Sequence, residues 1–353
     1  TVYPGATEAW DGVDNDCDGI ADNITTDDAT GYLDGVDTDY LGYRGSLGLG
    51  DFNGDGQLDV AVGGTYVNSS ATGGIYVVDG SGHASWADDV DDVADADIDG
   101  NGRSGYFGTT GQHMGDQNGD GYDDLVVVGT DGYYGSYYGT VAGSVFFGGS
   151  SGISDADGDE ADVTFSDSDS SGAYTSVLSD LDFDGDGLHD VLYGDWYYSS
   201  SYKGTVYMMS GADMTGGDLD LQSDSGGYVY GDSNYDYLGW SLASYDLNAD
   251  GYDDAIATAP GVDAVTDNEG CLYVVDGRAS FSGSASVGFA ASMSICGTEE
   301  DGYLGWNAAP QLADFDADGT IDLAVSAPGV GEVYVFFDAS SLSGTLDTSA
   351  ADV

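Results

Sequence analysis

Basic residues are almost absent from this sequence of 353 residues. Four Lys and Arg stand against 65 Asp and Glu, so the formal net charge is −61 at pH 7. A surface with this charge repels polyanions and anionic lipid headgroups. Binding to nucleic acid or to an anionic membrane is therefore disfavoured, and most of the carboxylates are expected to face solvent.

Cysteine, proline and long apolar runs are also scarce. The chain has three Cys and four Pro, and no apolar run is long enough to span a bilayer. Cys271 and Cys296 fall on predicted neighbouring strands, where they either form a disulfide or remain two buried thiols. Cys17 is then unpaired, or its partner lies upstream. Because the chain begins at Thr1 and shows no signal peptide, we expect a processed or trimmed piece of a longer precursor.

Residues that typically form catalytic centres are few. The three His match no zinc-binding spacing. His189 lies inside an acidic loop and is expected to be a bystander there rather than a general base. Carboxylate pairs are so frequent that they do not indicate glycoside hydrolysis. We therefore predict that the chain is not an enzyme.

Glycine, tyrosine and aspartate are abundant instead. The chain has 59 Gly and 27 Tyr, and 41% of its residues are hydrophobic, which is enough to bury a sizeable core. Nearly all the acids are Asp, whose short side chain suits turns and tight metal loops. Short runs of Val, Ile and Tyr between Gly- and Asp-rich stretches predict an all-β fold with many turns.

The most informative stretch is the nine residues Asp182-Phe-Asp-Gly-Asp-Gly-Leu-His-Asp190. Carboxylates occupy positions 1, 3, 5 and 9. A glycine at position 6 takes a sharp turn that lets the backbone carbonyl at position 7 face inward. Ca²⁺ takes about six to eight oxygen ligands, and four carboxylates so close together repel one another strongly without a cation. The stretch therefore predicts a calcium-binding loop.

The same loop occurs five times, and the starts are separated by 65, 66, 64 and 68 residues. One such sequence is weak evidence in an Asp-rich chain, whereas five at a near-constant spacing are strong evidence. We predict Ca²⁺ as the cofactor, at about five to six sites. The predicted ligands, at positions 1, 3, 5, 7 and 9, are Asp51, Asn53, Asp55, Gln57, Asp59, Asp116, Asn118, Asp120, Tyr122, Asp124, Asp182, Asp184, Asp186, Leu188, Asp190, Asp246, Asn248, Asp250, Tyr252, Asp254, Asp314, Asp316, Asp318, Thr320 and Asp322.

These loops differ from EF-hands. An EF-hand has a further acidic ligand at position 12 and continues into a helix. Position 12 is here Val62, Val127, Tyr193, Ala257 or Val325. Each falls in a short apolar run, which indicates a buried strand rather than a helix.

Repeats of about 65 residues begin near residues 40, 106, 173, 237 and 303. Each contains an aromatic-Leu/Phe-Gly step, replaced by Ala173-Tyr-Thr175 in the third, then the acidic loop and several short apolar strands. Four short strands in each repeat are typical of the blades of a β-propeller. We predict an all-β propeller at residues 24–353, preceded by an Asp/Cys-rich leader at residues 1–23.

The order Tyr237-Leu-Gly239, Asp246 to Asp254 and Ala259-Pro-Gly261 resembles the FG-GAP repeats of integrin α subunits. The resemblance covers nearly the whole chain from about residue 24. It implies a β-propeller with one calcium in each motif-bearing blade and a role in adhesion or extracellular recognition. The best-known members have seven blades, whereas this chain has five repeats. Because residues 29–35 resemble the last strand of a repeat, we expect that strand to close a five-bladed ring on the C-terminal blade; the alternative is an excised part of a longer array.

The leader contains a sixth acidic loop. The stretch from Asp11 to Gly19 resembles the Asp/Cys-rich metal-binding motif of bacterial surface proteins, although the Cys-Asp-Asp segment that usually begins this motif is missing. The alternative is a flexible acidic leader. The predicted ligands are Asp14, Asp16, Asp18, Ile20 and Asp22.

Aromatic residues are concentrated in the variable loops of the first three repeats. Equivalent loops of adjacent blades lie side by side, so these side chains are predicted either to form one ligand patch or to pack on glycine-rich turns of their own blades. The predicted patch consists of Tyr66, Tyr133, Tyr134, Tyr137, Tyr138, Trp196, Tyr197, Tyr198 and Tyr202.

These features predict a secreted calcium-binding module of a bacterial cell surface that acts in adhesion or recognition. Calcium is expected to be structural rather than catalytic, and the partner is expected to be an extracellular protein or a glycan. One alternative is a structural subunit of a surface layer or filament, which binds copies of itself. A second alternative is the non-catalytic region of a secreted hydrolase.

Overall fold

A computed structural model describes residues 32–35, 41–42, 47–64, 73–81, 87–100, 107–108, 110–113, 115–128, 141–157, 160–166, 175–196, 201–306 and 308–353. The predicted leader at residues 1–23 lies outside these ranges. The described part of the chain is all-β apart from short helical turns. It contains no helix with the length and apolar character needed to cross a membrane.

The strands follow the repeats in chain order. One strand, β1 (Tyr32–Asp34), precedes them. Repeat 1 contains β2 (Leu47–Gly50), β3 (Asp59–Gly64), β4 (Gly74–Val78), β5 (Ala87–Asp89) and β6 (Ala96–Asp99). Repeat 2 contains β7 (Thr110–His113), β8 (Leu125–Val128), β9 (Val141–Phe146), β10 (Ala156–Asp157) and β11 (Val163–Ser166). Repeat 3 contains β12 (Thr175–Leu178), β13 (Val191–Asp195), β14 (Thr205–Met209), β15 (Gly217–Asp220) and β16 (Gly227–Tyr230).

The last two repeats continue this order. Repeat 4 contains β17 (Leu242–Tyr245), β18 (Asp254–Ala259), β19 (Cys271–Val275), β20 (Gly283–Ser286) and β21 (Met293–Cys296). Repeat 5 contains β22 (Gln311–Ala313), β23 (Asp322–Ala327), β24 (Glu332–Phe336) and β25 (Gly344–Asp347). The α-helical turns are α1 (Val90–Val93) and α2 (Val287–Ala290), and 3-10 turns cover Gly211–Asp213, Ala339–Ser341 and Thr348–Ala350.

Four strands of each of the first four repeats form an antiparallel sheet, which we call a blade. The strand orders are β2-β3-β4-β6, β7-β8-β9-β11, β12-β13-β14-β16 and β17-β18-β19-β21. The acidic loop connects the first strand of each blade to the second, and the position 9 aspartate stands at or just before the start of the second strand. The five loops therefore occupy equivalent places in the blades.

A parallel strand from the following repeat extends each of these four blades. β10 pairs with β6, β15 with β11, β20 with β16 and β25 with β21. Each of these strands follows the third strand of its own repeat, so main-chain hydrogen bonds tie every blade to the next. This succession of linked antiparallel sheets is consistent with a propeller.

The two ends of this succession differ from its middle. Blade 5 consists of β22-β23-β24, and β1 pairs in parallel with β5. In the later repeats, the strand equivalent to β5 pairs with the fourth strand of the preceding blade. Because β1 pairs with β5, it occupies the position that the fourth strand of a blade before blade 1 would have. The predicted closure of the ring by β1 on blade 5 is not among the strand pairings of the described residues.

The hydrophobic core lies between adjacent blades. The second strands β13 and β18 are buried along their whole length because each blade is covered on both faces. Between blades 1 and 2, Phe52, Ile75 and Ile98 pack against Leu125 and Phe146. Burying one such side chain contributes about 1.5–3 kcal/mol. The stability of a blade therefore depends on its neighbours.

Cys271 and Cys296 stand opposite each other on β19 and β21 and form a disulfide, with their Cα atoms 4.0 Å apart. Of the two arrangements that the sequence leaves open, the structure contains the disulfide. It joins the third and fourth strands of blade 4.

Candidate metal centres

In each acidic loop, main-chain N–H groups of the loop donate hydrogen bonds to the position 1 carboxylate. In the first loop the N–H of Asp55 donates to Oδ1 of Asp51 and to Oδ1 of Asn53, at 2.9 Å in both cases. The N–H of Gly56 donates to the other oxygen of Asp51, also at 2.9 Å. The other four loops repeat this bond from position 6 to position 1, at 2.7 to 3.0 Å. The repeated sequence is therefore a repeated local structure.

The aspartate at position 9 anchors the loop to its blade. In all five loops it is no more than 2% exposed. One oxygen accepts the N–H of position 2 and the other accepts an N–H that follows the third strand. For Asp190 these donors are Phe183 at 2.7 Å and Gly211 at 2.8 Å. Burial raises the pKa of Asp124 and of Asp190 to about 7, although these N–H groups act to lower it.

Carboxylate oxygens converge where position 3 is aspartate. Asp182, Asp184 and Asp190 each offer an oxygen within 4.8 Å of the others, and the equivalent trio of the fifth loop does the same. Oδ1 of Asp182 is buried and accepts no hydrogen bond. A buried carboxylate oxygen without a partner is costly, and a cation would satisfy it. The third loop therefore fits a hard divalent cation.

The position 7 side chains of the second and fourth loops pack against the preceding blade. The ring of Tyr122 lies over Gly54, and the ring of Tyr252 lies over Gly185. A Cβ added to Gly185 would lie 2.5 Å from Cε1 of Tyr252, so only glycine fits there. The sequence predicted a ligand role for the backbone carbonyl at position 7, whereas the side chain has this separate role between blades.

Position 8 contains functional residues that the sequence reasoning missed. Oδ2 of Asp123 accepts the N–H of Asp51 in the preceding loop at 2.8 Å. Oδ2 of Asp253 accepts the N–H of Asp182 in the same way at 2.9 Å. The only sequence signal for this contact was the aspartate at position 8 of the acidic loops in repeats 2 and 4. His189 occupies this position in the third loop, where its Nδ1 lies 3.3 Å from Oδ1 of Asp180.

Comparison with protein families identifies two of these repeats directly. A model of the FG-GAP repeat matches residues 43–78 and 238–275, which include the first and fourth acidic loops. The chain carries FG-GAP repeats. A metal-binding motif of the Cu-binding MopE type matches residues 1–23. Both resemblances that the sequence indicated are therefore confirmed.

The chain is also similar to proteins named phosphatidylinositol-glycan-specific phospholipase D. It is 30% identical over 126 residues to that of Dictyostelium discoideum, 34% over 161 residues to that of Rattus norvegicus and 34% over 130 residues to that of Bos taurus. The matches cover 31%, 43% and 33% of this chain. They cover only 13%, 18% and 14% of those proteins, so the chain matches a minor part of each.

Two residues of the predicted ligand patch belong to a larger group of rings. The ring centroids of Trp196 and Trp240 are 4.2 Å apart, and those of Trp240 and Trp306 are also 4.2 Å apart. Tyr202 stacks on Tyr235 at 5.4 Å. We call the whole group the aromatic cluster; it consists of Trp196, Tyr202, Tyr235, Tyr237, Trp240, Tyr303 and Trp306.

The aromatic cluster has a sequence signal that the patch prediction did not use. Repeats 4 and 5 open with Tyr237-Leu-Gly-Trp240 and Tyr303-Leu-Gly-Trp306, which supply four of its seven rings. The remaining residues of the predicted patch lie outside the described residues: Tyr66, Tyr133, Tyr134, Tyr137, Tyr138, Tyr197 and Tyr198. The predicted ligands of the leader, Asp14, Asp16, Asp18, Ile20 and Asp22, lie outside them as well.

Proposed function

We propose that the chain is a calcium-binding β-propeller with five blades and one structural Ca²⁺ in the acidic loop of each. The observation that carries this proposal is the five-fold recurrence of one loop geometry around a position 1 carboxylate. The buried, unpartnered Oδ1 of Asp182 supports it. Ca²⁺ suits these loops better than Mg²⁺, because Mg²⁺ demands a near-octahedral site and retains several waters.

The ion is structural in this proposal because the loops hold blades together. The position 9 aspartate is bonded to its own blade, and position 8 of two loops is bonded to the preceding blade. A divalent ion would offset the repulsion among the loop carboxylates and favour the folded conformation. Calcium binding and blade packing would then be coupled, and no chemical step is assigned to the ion.

The aromatic cluster is the surface that we propose for recognition of an extracellular protein or glycan. Tyr235 is 54% exposed, and the other rings are partly exposed. Tyr202, Tyr235 and Tyr237 have φ values of 52°, 69° and 57°, in the left-handed region that such residues rarely adopt. Strained backbone is often retained at binding sites, and aromatic rings combine an apolar face with a polar edge.

A second candidate function is that of a non-catalytic region within a larger extracellular hydrolase. The similarity to part of the phosphatidylinositol-glycan-specific phospholipases D favours it. In both candidates this chain supplies binding and scaffolding rather than catalysis. Both place it outside the cell, where calcium is abundant and disulfides persist.

Titration of the calcium-stripped chain with Ca²⁺ in a calorimeter tests the metal assignment. We expect Asp182→Asn to weaken or abolish one class of sites, because it removes a charge from the third loop. Asp213→Asn is the matched control, since Asp213 is exposed in the same repeat and outside the loop. Identical titrations of wild type and Asp182→Asn would contradict the assignment of that ligand.

A further inference from the structure

Hydrogen bonds join successive acidic loops at alternate places along the chain. Between the first and second loops, the N–H of Asp123 donates to the carbonyl of Asp51 at 3.2 Å, and the N–H of Asp51 donates to Oδ2 of Asp123 at 2.8 Å. Between the third and fourth loops, Asp253 and Asp182 exchange the same two bonds, at 3.0 and 2.9 Å. Because the bonds run in both directions, each position is fixed by its counterpart in the other loop.

Two further contacts accompany each of these exchanges. The N–H of Gly149, which follows the third strand of blade 2, donates to the carbonyl of Phe52 at 3.0 Å, and the N–H of Arg278 donates to the carbonyl of Phe183 at 2.9 Å. The position 7 tyrosines of the second and fourth loops lie over the position 4 glycines of the first and third loops. The first and second loops therefore form one bonded unit, and the third and fourth loops form another. We call each unit a loop pair.

The second and third loops meet without such bonds. His189 takes the place of the linking aspartate, and its ring lies over Gly115. Gln117, at position 2 of the second loop, is buried; its Nε2 donates to the carbonyl of Ser179, outside the third loop, at 3.2 Å, and its Oε1 accepts no hydrogen bond. Among the residues that the structure describes, no hydrogen bond joins the second loop to the third.

The fifth loop is separate as well. It has Thr320 and Ile321 at positions 7 and 8 in place of tyrosine and aspartate. The hydroxyl of Thr320 donates to Asp318 of its own loop at 2.6 Å. The N–H of Ala339, which follows the third strand of blade 5, donates to the carbonyl of Ile321 rather than to the fourth loop. In the described part of the chain, no hydrogen bond joins the fourth loop to the fifth.

The linking aspartate stands between two predicted ligands of its own loop. Asp123 follows Tyr122, whose carbonyl is at position 7, and precedes Asp124 at position 9. It accepts the N–H of Asp51, whose carboxylate is at position 1 of the first loop. An ion in the second loop would fix residues 122–124 and so place Asp123 for this bond, and an ion in the first loop would fix Asp51. The shared contact is ordered once for both ions, so each ion favours the binding of the other.

We infer that calcium binds to these loops in pairs, the first with the second and the third with the fourth. Asp123 and Asp253 are the positioning residues that couple the two sites of each loop pair, and the fifth site fills independently. This inference rests on the calcium sites of the proposed function and adds which of them fill together. The aspartate at position 8 thereby controls the calcium affinity of the preceding blade without being a ligand.

Titration of the whole chain with Ca²⁺ against a competing chelator gives the number of ions bound and their affinities. Asp120→Ala removes the position 5 carboxylate of the second loop, and Asp318→Ala is the matched change in the fifth loop. We expect Asp120→Ala to abolish the binding of one ion and to weaken that of a second by about fivefold or more, whereas Asp318→Ala affects one ion only. Asp123→Ala, which removes no predicted ligand, should weaken two ions and abolish none.

An Asp120→Ala chain in which only one ion is affected would overturn the pairing, and so would an Asp318→Ala chain in which two are affected. Circular dichroism in calcium verifies that each variant is folded. If Asp120→Ala does not fold, Asp120→Asn, which keeps one neutral oxygen, carries the same expectation. A parent chain that binds no calcium contradicts the proposed function, whereas normal binding by sites that respond independently contradicts the pairing alone.

Discussion

The pKa of the aspartate at position 9 of each acidic loop is shifted in opposite directions by two features of its environment. Each is buried against its blade, which favours the protonated form, and each accepts at least two main-chain N–H groups, which favour the carboxylate. For Asp124 and Asp190 burial has the larger effect, and the pKa rises to about 7. For Asp254 it rises to about 6. In the proposed calcium sites, these residues would make calcium binding depend on pH.

We predict that a fall in pH stabilises the calcium-free chain but weakens its affinity for calcium. A carboxyl whose folded pKa is raised binds its proton more tightly when folded, so in chelator the free energy of unfolding should increase as pH falls from 8 towards 5. Calcium needs the deprotonated carboxylate, so its apparent affinity should fall as pH falls below 7, by up to about tenfold per pH unit for each proton displaced.

Calorimetric titrations at pH 8 and pH 6, each in two buffers with different ionisation enthalpies, measure both the affinity and the protons released. Asp180→Asn is unsuitable as a control because Asp180 contacts His189, whereas Asp213→Asn leaves the loops intact. A calcium affinity that does not change between these pH values, with no proton release, would contradict the role given to Asp124 and Asp190.

Strands with a strong sequence pattern were predictable, and those without one were not. The apolar runs after the acidic loops form the buried second strands, such as β13 and β18. The parallel strands that link the blades were not predicted, because β10 has only two residues and β25 is mostly exposed. Their position is fixed by the neighbouring blade, and the sequence carries no periodic signal for it.

The local structure of the acidic loops was also predictable from their sequence pattern, but the contacts that they make between blades were not. Spacing fixes which residues surround position 1, because the hydrogen bonds of the loop span at most seven residues. The hydrogen bond that the N–H of Asp51 donates to Asp123 spans 72 residues, and the one that the N–H of Asp182 donates to Asp253 spans 71. Such pairings depend on the packing of blades, and a single sequence gives no indication of them.

We predict that Asp253→Ala weakens the contact between blades 3 and 4. It leaves the N–H of Asp182, which is partly buried, without its acceptor, so the free energy of unfolding should fall by about 1–2 kcal/mol. Asp253→Asn keeps one acceptor oxygen and should lose less. Urea unfolding in saturating calcium measures both values, and an Asp253→Ala chain as stable as the wild type would show that the bond contributes nothing.

The net charge of −61 sets the conditions under which the whole chain can fold. Each blade contains one acidic loop. The repulsion among the loop carboxylates, and any reduction of it by bound cations, therefore occurs in every blade. Five divalent ions would offset a minor part of the total charge, but they would act where carboxylates are closest. We therefore expect calcium to stabilise every blade and the contacts between them.

A thermal melt followed by circular dichroism, in millimolar calcium and then in excess chelator, tests the central claim most directly. Ligand binding to the folded state alone stabilises it by about 4 kcal/mol per site at a thousandfold excess over Kd. We expect a large fall in Tm in chelator that calcium reverses and magnesium does not. An unchanged Tm, together with elemental analysis that finds no bound metal in the untreated chain, would contradict the claim that these loops are structural calcium sites.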